Sequence, residues 1–160
     1  MGRPHKDRLI YDFGEIRTEL TAEVAKLKPE EFNWAPRPDM KSFKALLQEI
    51  GSMEKLSINW VAKQEMLDWE TAVAWSGDTA EAIMNDLEAV RAETLAYLEG
   101  CTEEKLQTPI PVPDAWRQYI PFEAIEPEEL VRWPARHEYY HLGQIITYRW
   151  TLGDNPYKQA

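Results

Sequence analysis

Apolar residues recur every three to four positions in four segments of the chain, and this spacing predicts amphipathic α-helices. The first predicted helix runs from about Asp7 to Leu27 and is ended by Pro29. The second runs from Phe43 to about Gln64 and follows Ser42, whose hydroxyl suits an N-cap position. The inward stripe of the first helix comprises Ile10, Phe13, Ile16 or Arg17, Leu20, Val24 and Leu27.

Two further helices are predicted in the second half of the chain. The stretch from Asp78 to Glu81 has capping-box spacing, with Asp in place of the usual Ser or Thr, and the helix that follows continues to about Glu99, before Gly100. The last helix begins near Pro127 and is kinked by Pro134, or alternatively it begins at Pro134, and it ends before Gly153. Its predicted inward positions are Leu130, Trp133, His137, Tyr140, His141, Gln144, Ile145 and Tyr148.

Residues 107–126 contain four prolines and are predicted to form a long irregular crossing, too long for a tight hairpin between neighbouring helices. Four amphipathic helices with one long crossing before the last predict an all-α fold, a four-helix bundle. No repeat or linker divides the sequence. We therefore expect residues 1–160 to form one domain.

Composition and charge narrow the classes of function. The chain has 160 residues and a formal net charge of −10, so we expect it to bind neither nucleic acid nor an anionic membrane surface. Cys101 is the single cysteine, which excludes an internal disulfide. The sequence shows no signal peptide and no apolar run of membrane-spanning length. These features favour a soluble protein of the cytoplasm.

Two of the three histidines, His137 and His141, lie four residues apart on the predicted inward face of the last helix. On an α-helix this spacing places both imidazoles on one side, one turn apart. Buried imidazoles need partners, since an unsatisfied buried polar group costs about 1 to 3 kcal/mol. They could hydrogen-bond to a carboxylate, a tyrosine or a water, or they could bind a metal ion as a pair.

Glu49 is a second polar residue on an apolar seam. The inward series of the second helix reads Leu46, Glu49 or Ile50, Met53, Leu56 and Trp60. A carboxylate in such a place needs a positive partner. A divalent ion held by Glu49, His137 and His141 would satisfy all three residues and leave coordination positions open for water or substrate. The alternatives are a salt bridge from Glu49 to a lysine, an arginine or a protonated histidine, or a rotation of its side chain to the bundle surface.

Residues 137–141 also read HEYYH, which matches the HExxH pattern of zinc peptidases. A peptidase of this kind needs a further ligand downstream, and the residues after His141 contain no histidine or glutamate and one acid, Asp154. Peptidase activity is therefore the weaker interpretation. Glu138 is then expected to be an acid behind the metal ligands or a charge on the helix surface.

The sequence resembles the DinB-like superfamily of bacterial four-helix bundles over nearly its whole length. Three stretches carry the resemblance: LKPEEFNWAP at residues 27–36, SFKALLQEIGSME at residues 42–54, and HEYYHLGQI at residues 137–145. The third is the most specific, because the family is similar to HExxHxGQI there. The order of the helices and the long crossing agree with the family as well.

The resemblance implies a divalent metal ion, commonly zinc or nickel, bound by one residue of the second helix and both histidines of the last. It places the first ligand at Glu49, where the family usually has histidine. This departure either keeps the site as a triad of two histidines and one carboxylate or marks the loss of metal binding. A carboxylate ligand also makes manganese or iron compatible with the site.

The resemblance further implies a metal-dependent enzyme of the thiol S-transferase or hydrolase type that acts on a small molecule. Related members use low-molecular-weight thiols such as bacillithiol or mycothiol, and many members are homodimers. Glu138, Gln144 and Tyr140 are the candidate residues around the ligands, whereas Glu54 is expected to point elsewhere. The alternative is a non-enzymatic, dimeric bundle that has lost its metal.

Overall fold

The computed structural model describes residues 4–158 and confirms the all-α prediction. Its four long helices have the following bounds: α1 His5–Val24, α2 Phe43–Lys63, α3 Ala80–Gly100 and α5 Pro127–Thr151. A short helix, α4, spans Glu103–Gln107. Two short strands, β1 Ile110–Pro111 and β2 Ala124–Ile125, pair antiparallel. Within the described residues no helix combines the length and the apolar character that a membrane crossing requires.

The four long helices pack as a bundle in which each has two main neighbours. Helix α5 lies against α1 and α2, and α3 lies against the same two helices. The candidate ligands belong to α2 and α5, which are in direct contact along the bundle. The fold therefore brings together residues that are far apart in the sequence.

Most predicted helix boundaries are close to the observed ones. Ser42 caps α2, since its Oγ accepts from the backbone N–H of Ala45 at 3.2 Å. The predicted cap at Asp78 is wrong by one residue. Thr79 caps α3 by accepting from the N–H of Ala82 at 3.2 Å, and Asp78 instead pairs with Lys44.

The last helix begins at Pro127, where a missing N–H costs nothing, so the alternative start at Pro134 is wrong. Pro134 lies buried inside α5. The first helix ends at Val24, about one turn earlier than its apolar stripe suggested. Leu27 still packs against the core from the turn that follows.

The crossing between α3 and α5 is more ordered than the sequence indicated. Thr102 caps α4 by accepting from the N–H of Lys105 at 3.1 Å. The strand pair continues into a hydrogen bond from the N–H of Val112 to the carbonyl of Glu123 at 2.9 Å. Between the strands a 3-10 turn, Asp114–Trp116, carries Trp116 onto the bundle. The prediction of an irregular stretch over 107–126 is therefore wrong in these places.

The apolar core falls into two clusters, one around Phe13 and one around Phe43. Between them each long helix contributes one buried charged residue, and we call this group the charge layer. It consists of Arg17 from α1, Glu54 from α2, Arg91 from α3 and Glu138 from α5. Two positive and two negative side chains balance one another inside the bundle.

The charge layer is closely hydrogen-bonded. Arg17 donates from Nε to Oε1 of Glu138 at 2.7 Å, and Arg91 donates from Nε to Oε1 of Glu54 at 2.7 Å. Arg91 also pairs with Glu138, and Thr94 donates to Oε1 of Glu54 at 2.6 Å. Burial by itself lowers the pKa of Arg17, but the hydrogen bond and charge of Glu138 outweigh it and raise the pKa above its ordinary value.

Candidate metal centre

The structure brings the side chains of Glu49, His137 and His141 together on adjoining faces of α2 and α5. Each offers one ligand atom, and these atoms all lie within 4.8 Å of one another. His137 and His141 share a side of α5 because they are separated by one helical turn. Glu49 reaches them from the first half of α2. His141 is buried, while the other two are partly exposed.

The separations of these atoms suit a small divalent ion. The two Nε2 atoms of His137 and His141 are 3.1 Å apart, and Nε2 of His141 is 3.6 Å from Oε2 of Glu49. Ligand bonds of about 2.0 to 2.2 Å in tetrahedral geometry place neighbouring ligand atoms roughly 3.3 to 3.6 Å apart. Two imidazole nitrogens and one carboxylate oxygen are also a donor set typical of open zinc sites. The three residues fit such an ion.

Gln144 determines which nitrogen of His141 carries the proton. Its Nε2 donates to the Tyr140 hydroxyl at 3.0 Å, so its Oε1 faces Nδ1 of His141 at 2.6 Å and accepts a hydrogen bond from the Nδ1–H group. The Nε2 lone pair of His141 is then available to a metal ion. His137 has no such support, because its buried Nδ1 lacks a hydrogen-bond partner among the described residues.

Both imidazoles are held in the neutral form that metal binding requires. Burial lowers the pKa of His137 to about 4, with a further contribution from neighbouring His141. Burial also lowers the pKa of His141, although the Gln144 hydrogen bond and the charge of Glu49 act in the opposite direction. At neutral pH neither ring has to lose a proton to solvent before it can bind a metal ion.

Glu49 already has a cationic partner in Lys41, on the connection that precedes α2. The salt bridge predicted as an alternative for Glu49 is therefore present, together with the approach to His141. The Lys41 side chain is 56% exposed, so it can swing into solvent at little cost. The ammonium group and a metal ion would compete for the same carboxylate.

The other candidate residues around the ligands have different positions. Gln144 contacts His141 directly. Tyr140 is not inward as predicted: it is 62% exposed and touches the site through its hydroxyl. Its position on α5 lies at the edge of the stripe rather than at its centre. Glu138 is not a surface charge, since its carboxylate is buried in the charge layer.

Glu54 lies in the charge layer as well, which agrees with the expectation that it points away from the ligands. Sequence reasoning did not identify the charge layer itself. The one indication of this layer in the sequence was Arg17, a charged residue on the apolar stripe of the first helix. The pattern of a single helix does not show which residues of other helices Arg17 contacts. Lys41 was missed because it lies outside any helix.

Glu49 lines three cavities: one of about 300 Å³ beside Lys41 and Trp75, and two that border the triad. One of these two has a volume of about 390 Å³ and runs along α2 beneath Trp69, Trp116 and Trp133. The other, about 280 Å³, lies beside His141 and is lined by Lys41 and Tyr140 among others. Small molecules can therefore approach the triad from two sides, and the carboxylate lies at the boundary between them. Such an arrangement could hold an ion and present a bound group to a second molecule.

Two solved structures resemble the whole fold. The DinB-like protein YjoA from Bacillus subtilis aligns with a TM-score of 0.70 at 18% identity, over 96% of this chain and 99% of its own. A conserved protein from Enterococcus faecalis aligns with a TM-score of 0.69 at 18% identity, over 96% of this chain and 100% of its own. At this level of identity the likeness shows the fold alone.

The comparison with curated proteins finds no match. The sequence model of the DinB superfamily, in contrast, matches residues 12–145, which include Glu49 on α2 and both histidines on α5. The match therefore includes all of α2 and α3, most of α1 and α5, and the crossing before α5. By sequence and by fold, the chain belongs to the DinB superfamily.

Proposed function

We propose that the protein is a metal-dependent enzyme that holds one divalent ion on Glu49, His137 and His141. The convergence of these three ligand atoms within 4.8 Å is the observation that carries the proposal. The reaction is of the thiol S-transferase or hydrolase type, and the substrate is a small molecule. The cavities on either side of Glu49 support this, because they leave access to the ion from solvent.

The chain's own residues would arrange the reacting groups. Three protein ligands leave a coordination position open, and the ion would make a bound thiol or water more acidic there. Gln144 holds the His141 ring in the required tautomer. Glu49 contributes one negative charge, so the acidifying effect is weaker than in a site built from three histidines.

The donor set limits the choice of ion. Two imidazoles favour zinc or nickel, and the carboxylate of Glu49 also makes manganese or iron compatible. A low-molecular-weight thiol is the proposed cofactor in the transferase case. Lys41, whose side chain lines the smaller cavity, would pair with a negatively charged end of such a thiol.

Metal analysis of the purified protein tests the site. We expect about one equivalent of a divalent metal per chain, and loss of that metal when His137 and His141 are both replaced by alanine. The matched control is Tyr139→Phe, an exposed position between the two histidines that should leave the metal content unchanged. Unaltered metal content in the double variant would contradict the proposed ligands. Thiol-conjugation and ester-hydrolysis assays then separate the two reaction types.

One observation favours a second candidate, a bundle without metal that works by association. Lys41 already neutralises Glu49, as would be needed if the ion had been lost. In that case the protein contains no stoichiometric metal, and its thermal unfolding does not change with chelator or with divalent ions.

Either candidate is compatible with a homodimer, which sedimentation analysis would detect as a mass of twice 18.7 kDa.

Peptidase activity has less support. Glu138 would be the general base of an HExxH site, but its carboxylate accepts hydrogen bonds from Arg17 and is paired with Arg91. Both oxygens of this carboxylate are bound by guanidinium donors, so neither is free to hold a water molecule next to the histidines. The Glu138→Gln variant is expected to lower stability rather than to remove a specific hydrolytic activity.

A further inference from the structure

The larger cavity beside Glu49 has a distinct chemical character. Its lining includes Met53, Leu56, Ser57, Trp69, Trp116 and Trp133, and it opens toward the triad at Glu49. Its volume of about 390 Å³ lies near the lower end of the range for small-molecule sites, roughly 300 to 1,000 Å³. Residues 49, 53 and 57 are spaced by one helical turn each. The cavity therefore follows α2 for roughly 12 Å.

Ser57 is a polar group without a partner in this apolar wall. It is fully buried at 0% exposure, and its Oγ has no hydrogen-bond partner within residues 4–158. Such a hydroxyl is unfavourable unless something satisfies it, because most buried polar side-chain atoms are hydrogen-bonded. Ser57 lines the cavity two helical turns along α2 from Glu49, and a small shift of a neighbouring lining side chain would let a ligand atom bond to its hydroxyl.

The aromatic side of the cavity is held rigidly. Trp60 donates from Nε1 to the carbonyl of Pro111 at 2.9 Å and packs edge-on against Trp116, with ring centroids 6.2 Å apart. Trp116 packs in the same way against Trp133 at 6.3 Å. Indole walls of this kind suit a flat apolar molecule. At the mouth, Trp69 is 37% exposed and Tyr119 is 67% exposed, so a ligand could cover both.

The charged groups beside the cavity indicate whether its ligand is a cation. Aromatic walls near a carboxylate would attract a cation if Glu49 were unpaired. Glu49 is instead neutralised by Lys41, and a divalent ion on the triad would leave one net positive charge. The neutral pair offers a cation no net attraction, and the positively charged site would repel one. The ligand is therefore expected to be uncharged or anionic.

We propose that this cavity binds an uncharged or anionic aromatic molecule about the size of two fused rings, with a hydrogen-bonding group that pairs with Ser57. The opposite edge of the molecule then lies next to Glu49. This inference deepens the proposed function by naming its substrate class, and its catalytic meaning rests on that function. The binding itself depends on side chains of the chain and not on the ion.

Equilibrium dialysis with 2-naphthol tests the cavity. We expect one molecule to bind per chain, with a dissociation constant on the order of 100 µM. Ser57→Ala should weaken 2-naphthol binding about five- to tenfold and leave naphthalene, which lacks the hydroxyl, unaffected. Because Ser57 makes no hydrogen bond within the described residues, this variant should fold normally.

Two further variants locate the site. Ser52→Ala makes the same chemical change at another buried serine of α2 that does not line this cavity, and it should bind 2-naphthol like the native protein. Met53→Trp puts a larger side chain into the cavity and should abolish binding. The inference is overturned if 2-naphthol does not bind, if Ser57→Ala binds it as tightly as Ser52→Ala, or if phenyltrimethylammonium binds more tightly than 2-naphthol.

The experiment separates this inference from the proposed function. Dialysis of the metal-free protein should give a 2-naphthol affinity within about threefold of that of the metal-loaded protein, since no cavity wall requires the ion. Metal content is measured independently. If the protein takes up no metal but binds 2-naphthol through Ser57, the proposed metal-dependent function is contradicted and the proposed ligand of the cavity is supported. If the protein takes up metal but does not bind 2-naphthol, the inference about the cavity is overturned and the proposed metal site is supported.

Discussion

Lys41 and a metal ion have the same electrostatic role toward Glu49. The carboxylate is only partly exposed, with 20% of its side-chain surface accessible, and it adjoins two neutral imidazoles that offer no compensating charge. In the absence of an ion the ammonium group supplies that charge. An ion that bound the proposed triad would therefore compete with a residue of the same chain.

Replacing Lys41 by methionine should tighten metal binding. The variant removes the competing cation and the like charge near the ion, so we expect zinc affinity to rise roughly 5- to 30-fold. Titration against a chromophoric chelator measures the change. Lys44→Met is the matched control, because Lys44 pairs with Asp78 and not with the triad. Equal affinity in the two variants would show that Lys41 does not compete.

The site residues differ in how readily the sequence reveals them. His137 and His141 are visible because helical spacing alone puts them on one face. Glu49 is visible because it interrupts an apolar stripe. Lys41 and Ser57 are not: Lys41 reaches Glu49 through a connection whose path no periodicity specifies, and the lack of a partner for Ser57 is a property of the packed bundle.

At the scale of helices, the charge layer relates α5 to the other three long helices. Glu138 follows His137 directly in the sequence and is bound to Arg17 of α1 and Arg91 of α3. Buried ion pairs are weak evidence of net stability, but they specify how helices are rotated and aligned. We infer that the layer sets the rotation of α5 that directs both histidines toward α2.

Arg91→Met tests the layer. The substitution leaves Glu54 and Glu138 buried without this partner, which should lower the free energy of unfolding by about 3 to 5 kcal/mol. Lys55→Met is the control, because Lys55 of α2 pairs with Glu93 of α3 near the surface and not in the charge layer. This variant should change the free energy of unfolding by roughly 0 to 1 kcal/mol. Urea unfolding measures both, and similar losses would contradict a special role for the layer.

Helix existence was predictable from the sequence, and details of the crossing were not. The stripes of α2 and α3 are continuous and capped by Ser42 and Thr79, so their periodicity is sufficient. The crossing contains the short helix α4 and two strands of two residues each. Elements of this length are too short to show a hydrophobic periodicity in the sequence. Its prolines correctly indicated a break between helices, yet Trp116 is placed by tertiary packing.

At the scale of the whole molecule, the candidate metal centre links distant parts of the chain. Glu49 and His137 are separated by 137 − 49 = 88 residues and are brought together by the contact of α2 with α5. In the unfolded chain this three-ligand arrangement does not persist, because the carboxylate is then far from the imidazoles. An ion that binds the triad therefore binds the folded state preferentially.

Divalent metal should consequently raise the temperature of unfolding. At a free zinc concentration 100 times the dissociation constant, the folded state gains about 2.7 kcal/mol. For a chain of 160 residues this corresponds to a rise of roughly 5 to 10 °C, which calorimetry would detect and excess chelator would reverse. The variant with alanine at positions 137 and 141 should show no rise. A rise of the same size in that variant would place the stabilising ion elsewhere, and no rise in the native protein would favour the bundle without metal.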